Sequence, residues 1–263
     1  MAPRASERCC WPYARMLAHR GGGTLAPENT LAAFDVGFAY GYRAAEFDTV
    51  LSADEIPVLL HDATLERTTN GSGSVATKTA AQLVDLDAGS WFDARFAQVR
   101  LPTLLQALQH CWDRGIWLNV EIKPAPGKEA RTGAVVAQTI AGFCADKRLI
   151  DPARSLWFSP LLSSFAPEAL AAARSTAPDL RRGLLFGRVP RNWQSSLHAL
   201  DAFSLHCDHR KLTRALAQEI RQSGAGLLCY TVNDPARVRE LREWGVDALC
   251  TDRIDLIRSD GAP

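Results

Sequence analysis

Seven residues in this chain are of types and spacings that could do phosphate chemistry. His19 and Arg20 precede three consecutive glycines in HRGGGTLAPENT, and Glu46 and Asp48 are one residue apart in AAEFDTV. His61 follows in PVLLHD, and Glu121 and Lys123 form an E-x-K pair in NVEIKP. Three carboxylates with no cysteine among them make a hard, oxygen-only donor set, which suits Mg2+ or Ca2+. Imidazole titrates near neutrality, so His19 and His61 are candidates for general acid–base work. Arg20 and Lys123 can hold phosphate oxygens, the arginine as a bidentate fork and the lysine as a point charge. Glycines 21–23 would let backbone N–H groups approach an anion. These are the parts required to hydrolyse a phosphate ester with a divalent metal. The bland alternative for E-x-D and E-x-K is a pair of strand-surface charges or a buried ion pair. Ligation is favoured because apolar residues flank both motifs and both fall at strand ends.

Bringing these residues together requires strands that end at one place. Residues 15–19 read as a first strand that runs into the glycines. A helix follows, with Asn29 or Thr30 as its cap, Leu31, Phe34, Phe38 and Tyr42 near helical spacing, and Gly41 as its terminator. Residues 44–50 are a second strand, and its period of two puts Glu46 and Asp48 on one face. A parallel crossover needs a dozen or more residues, usually with a helix. The interval from Asp48 to His61 is too short for that once strand residues are subtracted. Residues 56–61 therefore read as the return arm of a hairpin that brings His61 beside Asp48. An irregular excursion over 63–112 follows, with TTNGSGSV as a loop and VDLDAGSWF as a wall.

Beyond it the pattern is regular. Strands are expected at 116–122, 155–159, 182–186, 202–206, 227–232 and 247–251, with helices at 133–144 and 167–175. A helix from Asp234 and Pro235 to Gly245 precedes the last strand. Without the hairpin arm this makes eight strands, the number in a (β/α)8 TIM barrel, whose working face is at the C-terminal strand ends.

Composition sets the outer limits. The 263 residues fit one barrel-sized domain, and 47% hydrophobic with 22% charged residues is ordinary for a globular chain. A formal net charge of +1 provides no basic field for nonspecific nucleic-acid binding. No apolar run is long enough for a transmembrane helix, and residues 1–15 lack a secretion-signal core, reading instead as a short, poorly ordered extension. Of the seven cysteines, Cys207, Cys229 and Cys250 lie in apolar strand-like runs, and Cys9 and Cys10 are not spaced as a metal pair. A reduced, cytoplasmic protein is the simplest reading. His206-x-x-His209 is not expected to be a metal pair, His110 and His198 read as surface residues, and Asp252 reads as a cap or supporting acceptor. Ser163, Ser164 and Phe165 are candidates for the pocket wall.

The ordered set HRGG, APENT, E-F-D, V-L-L-H-D, LERTTNGSG, V-E-I-K, LLSSF, YTVN and TD resembles the glycerophosphodiester phosphodiesterases, in particular the cytoplasmic bacterial type. The resemblance extends from about residue 16 to 257, with the family's small insertion after the second strand at roughly 51–112. It implies a barrel related to phosphoinositide phospholipase C. It also implies metal-dependent cleavage of deacylated phospholipids, such as glycerophosphocholine or glycerophosphoethanolamine, to sn-glycerol 3-phosphate and an alcohol. Carried over by position, Glu46, Asp48 and Glu121 bind the metal, His19 and His61 are the acid–base pair, and Arg20 and Lys123 contact phosphate. The hairpin turn departs from the family pattern, reading ADEIP in place of an Asp-Gly turn. The nucleophile is either water or the glycerol 2-hydroxyl. His19 is taken as base and His61 as acid, with the reverse assignment open. A lysophospholipase D with the same metal centre is the alternative, and it would need an apolar groove at the mouth. A metal amidohydrolase would want H-x-H where this chain has H-R-G, and a non-catalytic barrel would be expected to have lost at least one of the metal carboxylates or histidines. The oligomeric state is not encoded in any of these features.

Overall fold

The computed structural model describes residues 11–260. Among them the strands are β1 (Met16–Ala18), β2 (Ala44–Leu51), β3 (Pro57–Leu59), β4 (Trp117–Ile122), β5 (Leu161–Ser164), β6 (Arg182–Phe186), β7 (Ser204–Asp208), β8 (Gly226–Tyr230) and β9 (Ala248–Thr251). All but β3 are parallel, and β1 pairs with both β9 and β2, which closes an eight-stranded barrel. The helices are α1 (Leu31–Ala39), α2 (Ala80–Val84), α3 (Leu104–Arg114), α4 (Glu129–Ile150), α5 (Pro152–Ser155), α6 (Pro167–Thr176), α7 (Trp193–Leu200), α8 (Arg214–Gln222) and α9 (Pro235–Glu243). This is the (β/α)8 TIM barrel expected from the strand count.

β3 is the expected hairpin arm. It runs antiparallel to β2, with Thr49 opposite Leu59, and Leu60 N–H donates to the Asp48 carbonyl at 3.2 Å. The unusual ADEIP turn still closes. Glu55 takes a left-handed φ of +61°, and the Ser52 hydroxyl accepts from Ile56 N–H at 2.9 Å. His61 therefore emerges one residue past Leu60, on the barrel's working face.

Three expectations need correction. The fourth barrel strand is not at 155–159 but at Leu161–Ser164. Residues 152–155 form α5 instead, because Asp151 caps Arg154 N–H and Pro152 occupies the first helical position. The excursion after β3 is also less irregular than expected. It ends in α3, where Thr103 and Gln106 form a reciprocal capping box, and whose Leu104, Leu108, Cys111 and Trp112 are buried. The sixth barrel strand, β7, begins two residues later than predicted, so His206 lies inside it.

The floor of the barrel includes residues assigned by sequence to a poorly ordered extension. Tyr13 stacks on Trp117 with ring centroids 4.1 Å apart, and Trp11 packs 5.7 Å from Phe203. Both rings pack against a buried group that includes Leu17, Ala44, Trp117, Leu161, Leu228 and Ala248. Residues 1–10, with Cys9 and Cys10, lie outside the described residues.

Side chains pointing into the barrel change character with height. Apolar residues fill the base, and polar ones follow above it: Asn119, Ser163, Ser204 and His206 are all buried. The His206 ring is 2.9 Å from the Ser204 hydroxyl. It occupies the space that a side chain at Gly183 would need, since a Cβ there would fall 2.4 Å from Nε2. Burial alone pushes the His206 pKa down to about 3. The folded chain therefore keeps a neutral ring, while the unfolded chain takes up a proton as pH falls below about 6.5. The ring's contribution to stability is complete above that value and is lost as pH falls toward the folded pKa. Comparing denaturant midpoints of the parent and His206→Asn at pH 7 and pH 4 should show the parent losing roughly 3 kcal/mol more than the variant. Equal acid losses would exclude this ring as the cause.

Candidate active site

Each site residue is placed by a strand end or by the turn just beyond one. His19 and Arg20 follow β1 directly, Glu46 and Asp48 alternate along β2, and Glu121 lies in β4 with Lys123 just past its end. Strand register puts Asp48 opposite Glu121. Ligand oxygens of Glu46, Asp48 and Glu121 all lie within 4.8 Å of one another. All three carboxylates are largely withdrawn from water, Asp48 being only 2% exposed. Burial, and then the charge of Asp48, hold the carboxyl groups of Glu46 and Glu121 above the ordinary carboxylate range. An all-oxygen cluster that resists its own ionisation fits a hard divalent cation, whose charge would offset the burial penalty.

Cations of the chain surround the cluster. Arg20 Nε lies 3.5 Å from Asp48, and Arg20 N–H donates to Glu46 at 3.3 Å. Lys123 Nζ is 3.6 Å from Asp48 and 3.5 Å from Glu121. His19 Nε2 is 3.7 Å from Glu46. His19, Arg20, Asp48, His61, Glu121 and Lys123 all line one cavity of about 410 Å³, with Glu46 beneath it. The structure thus brings together all seven residues singled out in the sequence.

Both imidazoles are oriented from behind. His19 Nδ1 lies 2.5 Å from Asp252, and His61 Nδ1 lies 2.6 Å from Asp62. An ionised carboxylate only accepts, so in each ring Nδ1–H donates and Nε2 remains for proton transfer. Burial lowers the His19 pKa, but the Asp252 hydrogen bond and the charges of Glu46 and Asp252 outweigh it, and the net shift is upward. Asp252 is thus the supporting acceptor expected from sequence, itself held by Asn233 Nδ2–H at 2.9 Å.

Several contributors were not legible beforehand. Thr30 caps α1, accepting from Ala33 N–H, which frees Asn29 for another task. Its amide donates to Asp48 Oδ2 and its oxygen accepts from Asp48 N–H, both at 3.0 Å. Asn29 adopts φ +60°, a conformation asparagine tolerates. Glu28 bonds Arg20 at 2.6 Å and Arg67 at 2.8 Å, and Arg67 bonds Asp62 at 2.5 Å. A continuous ionic chain thereby ties Arg20 to His61 across the mouth. Their traces in the sequence are the APENT run, which holds Glu28 and Asn29, and the LERTTNGSG run, which holds Arg67; neither run by itself shows these contacts.

Other expectations are revised. Gly21 and Gly23 amides are spent on Ala18 and His19 carbonyls, so they are not aimed at an anion. Glycine is required at 23 for close packing, since a Cβ there would fall 2.1 Å from the Asp252 carbonyl oxygen. Ser163 and Ser164 are fully buried, and only Phe165 of that trio lines the cavity. His206 is inside the barrel while His209 contacts Arg237, so they form no metal pair. His198 is exposed, and His110 is half-buried with Nε2 2.9 Å from Asp35. Among the described residues, no helix is long and apolar enough to cross a membrane.

Comparison with known proteins agrees with this geometry. Residues 19–256 match the profile of the Glycerophosphoryl diester phosphodiesterase family. A glycerophosphodiester phosphodiesterase of Caldanaerobacter subterraneus is 32% identical, over 94% of this chain and 98% of the relative. The structure of an Oleispira antarctica phosphodiesterase in complex with the product sn-glycerol-3-phosphate superposes with a TM-score of 0.82 at 34% identity, covering 90% of this chain and 92% of that one. A glycerophosphodiester phosphodiesterase structure from Agrobacterium tumefaciens gives 0.72 at 27% identity, covering 94% and 98%. This chain is a phosphoric diester hydrolase belonging to the glycerophosphoryl diester phosphodiesterase family.

Proposed function

We propose that this chain cleaves deacylated phospholipids, of the glycerophosphocholine and glycerophosphoethanolamine kind, to sn-glycerol 3-phosphate and the free alcohol. Glu46, Asp48 and Glu121 would hold one Mg2+ or Ca2+, His19 and His61 would transfer protons, and Arg20 and Lys123 would hold the phosphate. The observation that carries this reading is the buried three-carboxylate cluster beneath a cavity lined by both imidazoles. The sn-glycerol-3-phosphate bound in the Oleispira antarctica phosphodiesterase supports the product assignment. Cysteines that are free thiols at 111, 144, 207, 229 and 250 are compatible with a cytoplasmic setting.

When bound, the cation would supply Lewis-acid stabilisation of charge developing on phosphate oxygen. The chain's own residues supply the rest. Arg20 and Lys123 orient the phosphate and share its charge. His19 Nε2 takes a proton from the attacking hydroxyl, and a new P–O bond forms. The P–O bond to the alcohol breaks, and His61 Nε2–H protonates the departing oxygen. With water as the nucleophile, one water is consumed for each phosphate monoester and alcohol released, and the two rings end with exchanged protonation states. Asp252 and Asp62 keep both rings in the tautomer this exchange requires.

The test is release of glycerol 3-phosphate from a panel of diesters, with and without chelator. Release should stop on chelation and return with Mg2+ or Ca2+; release indifferent to chelator would remove the metal from the reading. His19→Ala and His61→Ala should each lower kcat by about 10²–10⁴-fold without loss of folding, and full turnover in either would refute the pair. Asn29→Ala, which frees the Asp48 carboxylate from its clamp, should weaken divalent-cation affinity in titration calorimetry by about 10–100-fold. Unaltered affinity would show that the strand alone positions Asp48.

A further inference from the structure

A second chamber of about 430 Å³ opens off the active site and shares His61 and Lys123 with it. Its walls come from the β2–β3 hairpin, the segment around Val75 and the loop after β4. Val50, Ala63, Val75, Ala76, Pro124 and Ala125 make most of its surface apolar. Charge at its edge is mainly positive: Lys123, Lys128 and Arg131 face a single carboxylate, Glu55, which is already paired with Arg131. Among the described residues that line it, none is Phe, Tyr or Trp.

A phosphodiester has two arms, and the site has a chamber on each side. The one on the His19 side, about 350 Å³, is lined by Trp91, Phe92, Glu28 and Asp252. Its ring faces and polar groups suit a glycerol, whose C–H and O–H edges alternate. The arm that departs must place its oxygen at the proton-donating imidazole, and in the mechanism above that is His61. The chamber His61 lines is therefore where the departing alcohol would lie. A quaternary or primary ammonium would find neither the face of a Phe, Tyr or Trp ring nor a free carboxylate there, only lysines of its own sign.

We propose that the chamber beside His61 and Lys123 is the leaving-alcohol subsite, and that it selects alcohols with an uncharged, apolar body over cationic head groups. This rests on the proposed histidine assignment and refines the substrate class within glycerophosphodiesters. The alcohol leaves as the neutral hydroxyl compound, having received its proton from His61 as the P–O bond breaks.

The experiment compares kcat/KM for three diesters: glycerophosphocholine, glycerol 3-phosphate esterified to hexanol, and 1-acyl lysophosphatidylcholine. The hexyl diester should exceed glycerophosphocholine by about 10-fold or more. Ala76→Glu, which puts a carboxylate into the chamber at an exposed position, should lower kcat/KM for the hexyl diester and raise it for glycerophosphocholine, erasing that advantage. Lys128→Glu should raise kcat/KM for glycerophosphocholine several-fold relative to the hexyl diester. Preference for glycerophosphocholine in the parent, or an Ala76→Glu variant that keeps the hexyl preference, would overturn the assignment. Preference for the lysolipid, lost in Ala76→Glu, would overturn it too, by placing an acyl chain of the glycerol arm in the chamber. No glycerol 3-phosphate release from any diester would instead count against the broader proposal, so the two failures are distinct.

Discussion

Like charge held out of water is the constraint to which the rest of the site answers. Asp48 has Glu46 and Glu121 within 4.8 Å, at depths where ionisation is opposed by burial as well as by neighbours. Such a cluster is destabilising by itself. It is offset by cations placed around it: the Arg20 guanidinium, the Lys123 ammonium and the His19 ring. His19 and Arg20 come from the turn after β1 and Lys123 from just past β4, on either side of β2, so the pairing of these strands in the barrel is what makes the compensation possible. A fold that delivered the carboxylates without these partners would face either their protonation or a looser geometry unsuited to gathering one cation.

The same logic extends outward through hydrogen bonds. Asp252 and Asp62 stand behind the two imidazoles, and Asn233 and Arg67 stand behind those carboxylates in turn. Glu28 links Arg20 with Arg67, so the turn after β1 and the segment after β3 are joined directly instead of only through the sheet. The hairpin, an antiparallel addition to an otherwise parallel barrel, is what sets the His61 ring facing His19. Its strained Glu55 turn is confined to the outer end, away from the pairing with β2 that fixes register.

Much of this was legible because the informative residues have simple periodicities. Alternation in a strand puts Glu46 with Asp48 and Glu121 with Lys123 without further knowledge. The short interval before His61 excludes a crossover and so implies the hairpin. Turn residues and helix caps were harder to read. Asn29 and Thr30 are both good caps, and only the three-dimensional proximity of Asp48 decides which one is diverted. Glu28 and Arg67 are far apart in sequence and resemble any exposed ion pair until the mouth is assembled. The fourth strand was misplaced because Leu156, Trp157 and Phe158 suggest a buried run, whereas Asp151 and Pro152 start a helix and Leu156 is exposed. Alternation told which face a residue occupied, but it could not tell a packed glycine turn from an anion cradle.

The aromatic floor has a consequence for traffic through the enzyme. With Trp11 and Tyr13 packed under the barrel against Trp117 and Phe203, the filled base of the barrel is covered from below and the site opens only at the opposite end. Water, substrate and both products must use the same doorway, so one product has to clear the mouth before the next diester can enter.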